Sequence, residues 1–197
     1  MPKIVDHDQY RQKLLSRCLE VIAEKGFATI TMRQIAAGLG VSTGTLYHYF
    51  PSKESLFEQL VEYISYQDTS EAAIARLKKL PTVAERVEAI FAALEQNEEY
   101  FVHQALMLID FCRQRSRDEI NESDVLTRAG TRYEIAIYKI LGIDDPAVIQ
   151  LFLCLTEGIV VRRIYQGDRV DFRNQAKLFK EMLLTYLKSQ TPNHPTG

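Results

Sequence analysis

Apolar residues recur along nearly the whole chain at intervals of three and four, as in Leu15, Cys18, Leu19 and Ile22 near one end and Val148, Leu151, Phe152, Leu155 and Ile159 further on. That period lines one face of an α-helix. The strict alternation of a half-buried strand and the Asn-Gly or Asp-Gly pairs that turn hairpins are missing. The pattern therefore predicts an all-α protein. Helix starts follow from side-chain oxygens able to take up backbone donors that lack an intrahelical partner. Asp6, Thr31, Ser52, Thr82 and Ser116 are such residues, each followed within three positions by Gln or Glu. Asp145 before Pro146, and Asp171, open the last two helices. Gly26, Gly40, Pro81, Gly142 and the Gly167-Asp168 pair mark stops. These signals give about nine helices, three of them short and crowded at the N-terminal end. The simplest division is a compact three-helix head over residues 1–55 and a helical body over 56–197, with Thr191–Gly197 a frayed polar tail.

The head carries the most informative spacing. In Thr31–Phe50, Ile35, Ala36 and Leu39 form one apolar face and Leu46 and Phe50 another. Ala36 is small where two helices must cross, Gly40 suits a left-handed turn, and Val41 plugs the corner. Such a corner presents one helix outward, as a helix-turn-helix does toward a DNA major groove. The outward residues are Thr43, Gly44, Thr45, Tyr47, His48 and Tyr49, rich in hydrogen-bonding and aromatic groups. One helix has one outward face, so Tyr47 and Tyr49 do not both enter a groove unless the helix is tilted or short. The glycines at 38, 40 and 44 lack the spacing and the preceding strand of a phosphate-binding glycine loop.

The run Gly26-Phe27, Thr31-Met32-Arg33-Gln34-Ile35-Ala36, and then Gly40 through Leu56 resembles the signature of the TetR family of ligand-responsive repressors, over roughly residues 8–60. The resemblance implies a DNA-binding head in which Thr31 and Tyr47 approach phosphates. Arg33, Thr43, Gly44, Thr45 and His48 would then face bases or adjoining backbone, with Tyr49 among the contacts and Lys53 holding a further phosphate. Helix N-termini at Thr31 and Ser52 suit anions on physical grounds as well. It further implies a homodimer paired through its last two helices, reading a palindromic operator in double-stranded DNA with half-sites about 34–36 Å apart. The body would then bind a small, mostly apolar effector that releases the DNA.

Beyond Tyr63 only physical patterning remains. Phe91, Leu94, Phe101, Met107, Phe111, Tyr133, Ile137 and Phe152 are candidate pocket residues, with His103 and Thr156 as polar groups among them. Each reads equally as ordinary core. Leu151, Leu155, Ile159, Phe179, Leu183 and Tyr186 on the last two helices are candidates for the dimer interface.

Composition adds exclusions. The net charge of −2 rules out a uniformly basic coat, although residues 1–55 hold seven Lys or Arg against five Asp or Glu while the remainder holds 17 against 21. Cys18, Cys112 and Cys154 lack CxxC spacing and sit in apolar helical runs, which reads as buried thiols in a reducing cytoplasm. No apolar stretch approaches the roughly 20 residues of a membrane span, and no leader-like segment opens the chain, so a soluble cytoplasmic protein is expected. The histidines 7, 48, 103 and 194 form no metal-ligand spacing, and no nucleophile–base or paired-carboxylate set stands out. No cofactor, metal or enzymatic activity is expected. Two other readings stay open: a regulator answering to cysteine oxidation or a protein partner, and a helical carrier or enzyme using the head as an interaction module.

Overall fold

In the computed structural model, residues 6–190 are described, and they form eleven α-helices and one 3₁₀ turn with no strand among them. The helices are α1 (His7–Ala23), α2 (Met32–Leu39), α3 (Thr43–Tyr49), α4 (Lys53–Asp68), α5 (Glu71–Lys78) and α6 (Val83–Gln96), then α7 (Glu98–Cys112), α8 (Arg117–Asn121), α9 (Asp124–Leu141), α10 (Pro146–Gln166) and α11 (Phe172–Gln190). The tail Thr191–Gly197 lies outside the described residues.

The caps act as their chemistry requires. The side chains of Asp6, Thr31, Ser52, Thr82, Ser116 and Asp145 each accept from a first-turn backbone amide, and Thr31, Thr82 and Ser116 complete reciprocal capping boxes. Asp171 accepts from the amides of Arg173 and Asn174 at the start of α11. Gly26, Gly40, Gly142 and Gly167 all adopt positive φ at helix ends. The helix count exceeds the nine expected because α6 and α7 are parted by Asn97 alone, with φ −118° and ψ 31° and neither Gly nor Pro to announce it. The five-residue α8 likewise adds a short element that the apolar period does not reveal.

The chain forms two compact units, Met1–Ser70 with Val102–Ile135, and Glu71–Phe101 with Ala136–Gly197. They do not follow the division at residue 55, since α4 and the 102–135 segment share a unit with the first three helices. In this first unit α1 buries Leu14, Leu15, Cys18, Leu19 and Ile22, α2 buries Ile35, Ala36 and Leu39, and Leu46, Phe50, Phe57 and Leu60 close the core. Full burial of such a side chain contributes about 1.5–3 kcal/mol. α1 and α2 also approach closely at Gly38, where a Cβ would lie 2.6 Å from Val21 Cγ1. Arg17 donates to the carbonyl of Leu39 at 3.0 Å, satisfying an end of α2 that has no helical partner.

The same unit fastens α7 to the first helices. Phe111 stacks on Phe57 at a centroid distance of 3.5 Å and 6° between planes, and the Arg115 guanidinium lies 3.5 Å above the Phe111 ring. Asp110 accepts from the Ala28 amide at 3.3 Å. From α9, Arg132 donates to Ser65 Oγ at 2.9 Å and also to Glu62 on α4.

In the second unit α6 and α11 make the most extensive contact, around a core of Phe91, Phe152 and Phe179 with Val87, Leu94, Ile137, Ile149, Phe172 and Leu183. Phe91 and Phe152 meet edge to face, with centroids 6.0 Å apart. Arg86 donates to the carbonyls of Leu80 and Ile140, at 2.9 and 3.0 Å. Arg163 grips Glu98 with two bonds of 2.6 Å.

Candidate nucleic-acid interface

The second helix of the head is set by the turn that precedes it. Gly40 takes φ 71° and ψ 32°, a conformation an L-residue with Cβ adopts at a cost, and its amide bonds back to Ala36 and Ala37. Ser42 then caps α3, accepting from the Thr45 amide at 2.9 Å while its Oγ lies 2.8 Å from Thr45 Oγ1. Leu46 and Phe50 are fully buried. The opposite side of α3 therefore faces outward. On it lie Gly44, Tyr47 and His48, with Thr43 and Thr45 half-buried at its border. Tyr47 keeps 48% of its surface. Thr31 and Arg33, at the start of α2, are also exposed.

Gly44 has no reason inside the chain to be glycine. A Cβ there would meet nothing closer than Ser42 Oγ at 3.8 Å, and its φ is not positive. The helix nonetheless gives up about 1 kcal/mol of propensity at this position.

Two of the expected DNA contacts have other roles. Tyr49 is 8% exposed, not turned to the groove. Its hydroxyl lies 3.1 Å from His7 Nδ1, and its ring packs against Tyr10 at 5.4 Å and edge-on to His48 at 5.0 Å. The alternation of the two tyrosines across a single helix face required one of them to turn inward. Lys53 points back into the head: its ammonium donates to the carbonyls of Phe27, Ile30 and Ala28 at 2.8, 3.2 and 3.4 Å and sits 4.8 Å from the Phe27 ring. An ammonium has three protons, and three acceptors of the 27–30 loop engage them. Sequence spacing does not reveal this, because the loop carbonyls that draw Lys53 inward belong to the backbone.

The candidate pocket residues separate. Phe91, Leu94, Ile137 and Phe152 form part of the second unit's core with Phe101 packed against it, and Thr156 is buried with its hydroxyl on the carbonyls of Phe152 and Leu153. His103, Met107, Phe111 and Tyr133 belong to the first unit, where Tyr133 donates to Asp68 at 2.7 Å. The first unit also holds a cavity of about 520 Å³ between α4, α8 and the start of α9. Of the ten candidates it is lined by Phe111 alone, and otherwise by Glu58, Gln59, Glu62, Arg115, Glu119, Glu122, Ser123, Asp124, Val125 and Arg128. These polar residues escaped the sequence reading because a charged helix face reads first as a solvated one.

The candidate interface residues on α10 and α11 differ in exposure. Ile159, Phe179 and Leu183 are buried within the chain's own core, and Leu155 is half-buried against it. Leu151 and Tyr186 are exposed, at 55% and 39%. They share faces with Cys154, Val161 and Tyr165 on α10, and with Leu178 and Met182 on α11. Exposed Cys154 corrects the expectation of three buried thiols, whereas Cys18 is buried and Cys112 partly so.

Among the described residues no helix is long and apolar enough to cross a membrane, and no group of His, Cys, Asp or Glu is placed to hold a metal ion.

The family profile for bacterial regulatory proteins, tetR family, matches residues 14–60. The HTH-type transcriptional regulator BetI of Escherichia coli O139:H28 is 38% identical over 92 residues, which is 46% of this chain and 47% of BetI. The alignment thus spans about half the length of the curated relatives. Among solved structures, the transcriptional regulator FadR of Bacillus subtilis in complex with stearoyl-CoA matches with a TM-score of 0.70 at 21% identity, over 88% of this chain and 97% of that one. A transcriptional regulator of Rhodococcus sp. Rha1 matches with a TM-score of 0.71 at 18% identity, over 89% and 96%.

Proposed function

We propose that the chain, whose residues 14–60 match the profile for bacterial regulatory proteins, tetR family, is a sequence-specific, DNA-binding transcriptional regulator. It acts as a dimeric repressor that leaves a palindromic operator when a small-molecule effector binds its body. Residues 1–55 read the DNA and 56–197 sense and pair. The observation that carries this is the outward face of α3, where Gly44, Tyr47 and His48 are exposed beside Thr31 and Arg33 with no intrachain packing to explain Gly44. Phosphate contacts fall to Thr31 and Tyr47, and base or nearby backbone contacts to Arg33, Thr43, Gly44, Thr45 and His48. Lys53 supports the same surface indirectly by closing the 27–30 loop.

Pairing through α10 and α11 is supported by the apolar side chains those helices expose, Leu151, Val161, Tyr165, Leu178 and Met182. Two heads so paired read two half-sites, which a single short recognition helix does not. The aromatic cluster of Phe91, Phe152 and Phe179 supports an apolar effector, and the FadR relative was solved with stearoyl-CoA. The carboxylate-lined cavity of the first unit favours a second reading, a polar effector carrying positive charge.

The test is selection of duplexes from a random pool by the full chain, followed by titration of the winner with acyl-CoAs and with organic cations. The reading expects an enriched palindrome whose binding is lost in Tyr47→Ala and weakened by one effector class. Enrichment of no sequence, or equal binding by Tyr47→Ala, overturns it.

A further inference from the structure

The first turn of α1 is tied to the recognition helix by a cluster that the DNA-reading role of α3 does not itself require. His7 Nδ1 lies 3.1 Å from the Tyr49 hydroxyl, the His7 and His48 rings are 5.8 Å apart, and Tyr10 packs on Tyr49 from the same helix. Tyr49 is buried, while His7 and His48 are both exposed. We infer that His7 is a further DNA-backbone contact, and that Tyr49 is the positioning residue that holds it beside His48 with its Nε2–H turned outward.

The chemistry runs from the hydrogen bond. A phenol oxygen is a good donor and a poor acceptor, whereas the unprotonated nitrogen of an imidazole is a strong acceptor. Tyr49 therefore donates to Nδ1, which fixes the neutral ring with its proton on Nε2. With Nδ1 taken by Tyr49, that N–H is the remaining donor of a solvent-exposed ring beside the exposed His48, and a phosphodiester oxygen is its natural acceptor. When the ring takes a second proton, the bond to Tyr49 reverses and the contact becomes charge-assisted.

The groups around the pair fit this arrangement. On α1, Asp6 is occupied in capping the amides of Asp8 and Gln9, and Asp8 lies 3.6 Å from Arg11. On α3 the neighbour is Tyr47, and His48 itself lies in the last turn. From α4, Gln59 reaches the Tyr49 carbonyl at 3.5 Å, and Lys53 is directed at the 27–30 loop. A charged ring makes a stronger contact with a phosphate than a neutral one, so binding should strengthen between pH 8 and pH 6.

This inference rests on the DNA-binding reading, and the experiment separates the two. The full chain first selects a duplex from a random pool; if none is enriched, the DNA-binding reading fails and this one with it. With the selected duplex as probe, affinity is measured between pH 6 and pH 8 for wild type, His7→Gln, Tyr49→Phe and His48→Gln. The expected result is a wild-type affinity about tenfold higher at pH 6 than at pH 8. His7→Gln and Tyr49→Phe should each flatten that profile in part, and at pH 6, where the contact is charge-assisted, His7→Gln should lower the salt slope by about one unit. Because His7 is exposed, its variant folds even if Tyr49→Phe does not. In the free protein, nitrogen chemical shifts of His7 should place the proton on Nε2 in wild type and mix the tautomers in Tyr49→Phe. A His7→Gln affinity and salt slope equal to wild type overturn the contact. A His7 proton on Nδ1, or a Tyr49→Phe protein with the wild-type pH profile and tautomer, overturns the positioning role.

Discussion

Lys53 satisfies backbone carbonyls inside the head, so its removal should be read as a loss of stability and not of a phosphate contact. Lys53→Met leaves the Phe27 and Ile30 carbonyls without their cation and is expected to lower stability by about 1–3 kcal/mol in urea unfolding. The salt slope of operator binding should stay at the wild-type value, whereas Arg33→Ala should lower it by about one unit. A reduced slope in Lys53→Met returns the residue to the DNA interface. At Cys18, burial pushes the thiol up to about 12, which keeps it protonated and inert at neutral pH. A thiolate-seeking reagent should label Cys18 only as the head unfolds; labelling of the native protein at the rate of free cysteine contradicts this. The sequence revealed that Cys18 is buried, because its position repeats that of Leu15, Leu19 and Ile22. It misplaced Cys154, which sits in an equally apolar run but on the side of α10 that the core leaves uncovered.

For whole helices, what was legible depended on whether a boundary is written in side chains. Capping residues and glycines with positive φ marked most ends correctly. The break at Asn97 has no such marker, so the sequence does not part α7 from α6. Faces are harder than boundaries. On α11 the buried set is Phe172, Ala176, Phe179 and Leu183, while Leu178 and Met182 are exposed. Both series are apolar at helical spacing, so the pattern alone assigns neither to the interior. On α3 the face was legible because Leu46 and Phe50 leave only one outward side. That helix supplies a test that opposes stability to function. Gly44→Ala should stabilise the fold by about 0.5–1 kcal/mol, because the added methyl meets only Ser42 Oγ at 3.8 Å. It should nonetheless weaken operator binding by about tenfold, since the methyl displaces the DNA backbone. Equal affinity for the two proteins would mean that nothing approaches α3 closely at this point.

At the scale of the molecule, the apolar faces of α10 and α11 predict the state of assembly. A stable pairing covers about 1,200–2,000 Å² in total, and a carboxylate in its centre is left without water or partner. Leu151→Glu combined with Met182→Glu should sediment as a single protomer, retain wild-type helicity, and lose most operator affinity because two half-sites are no longer read together. A dimer that survives both changes places the pairing surface elsewhere. The stack of Phe57, Phe111 and Arg115, with Asp110 on the Ala28 amide, bears on how such a regulator is recombined. The stretch proposed to read DNA is contiguous in sequence, but the unit in which it folds is not. A fragment ending at residue 60 would carry Phe27 and Phe57 with their aromatic cover removed. It is expected to be largely unstructured by circular dichroism, and to regain structure when residues 102–135 are supplied. A chimera that borrows this head for a different sensor must therefore transplant two separated stretches of chain, so specificity and scaffold are inherited together.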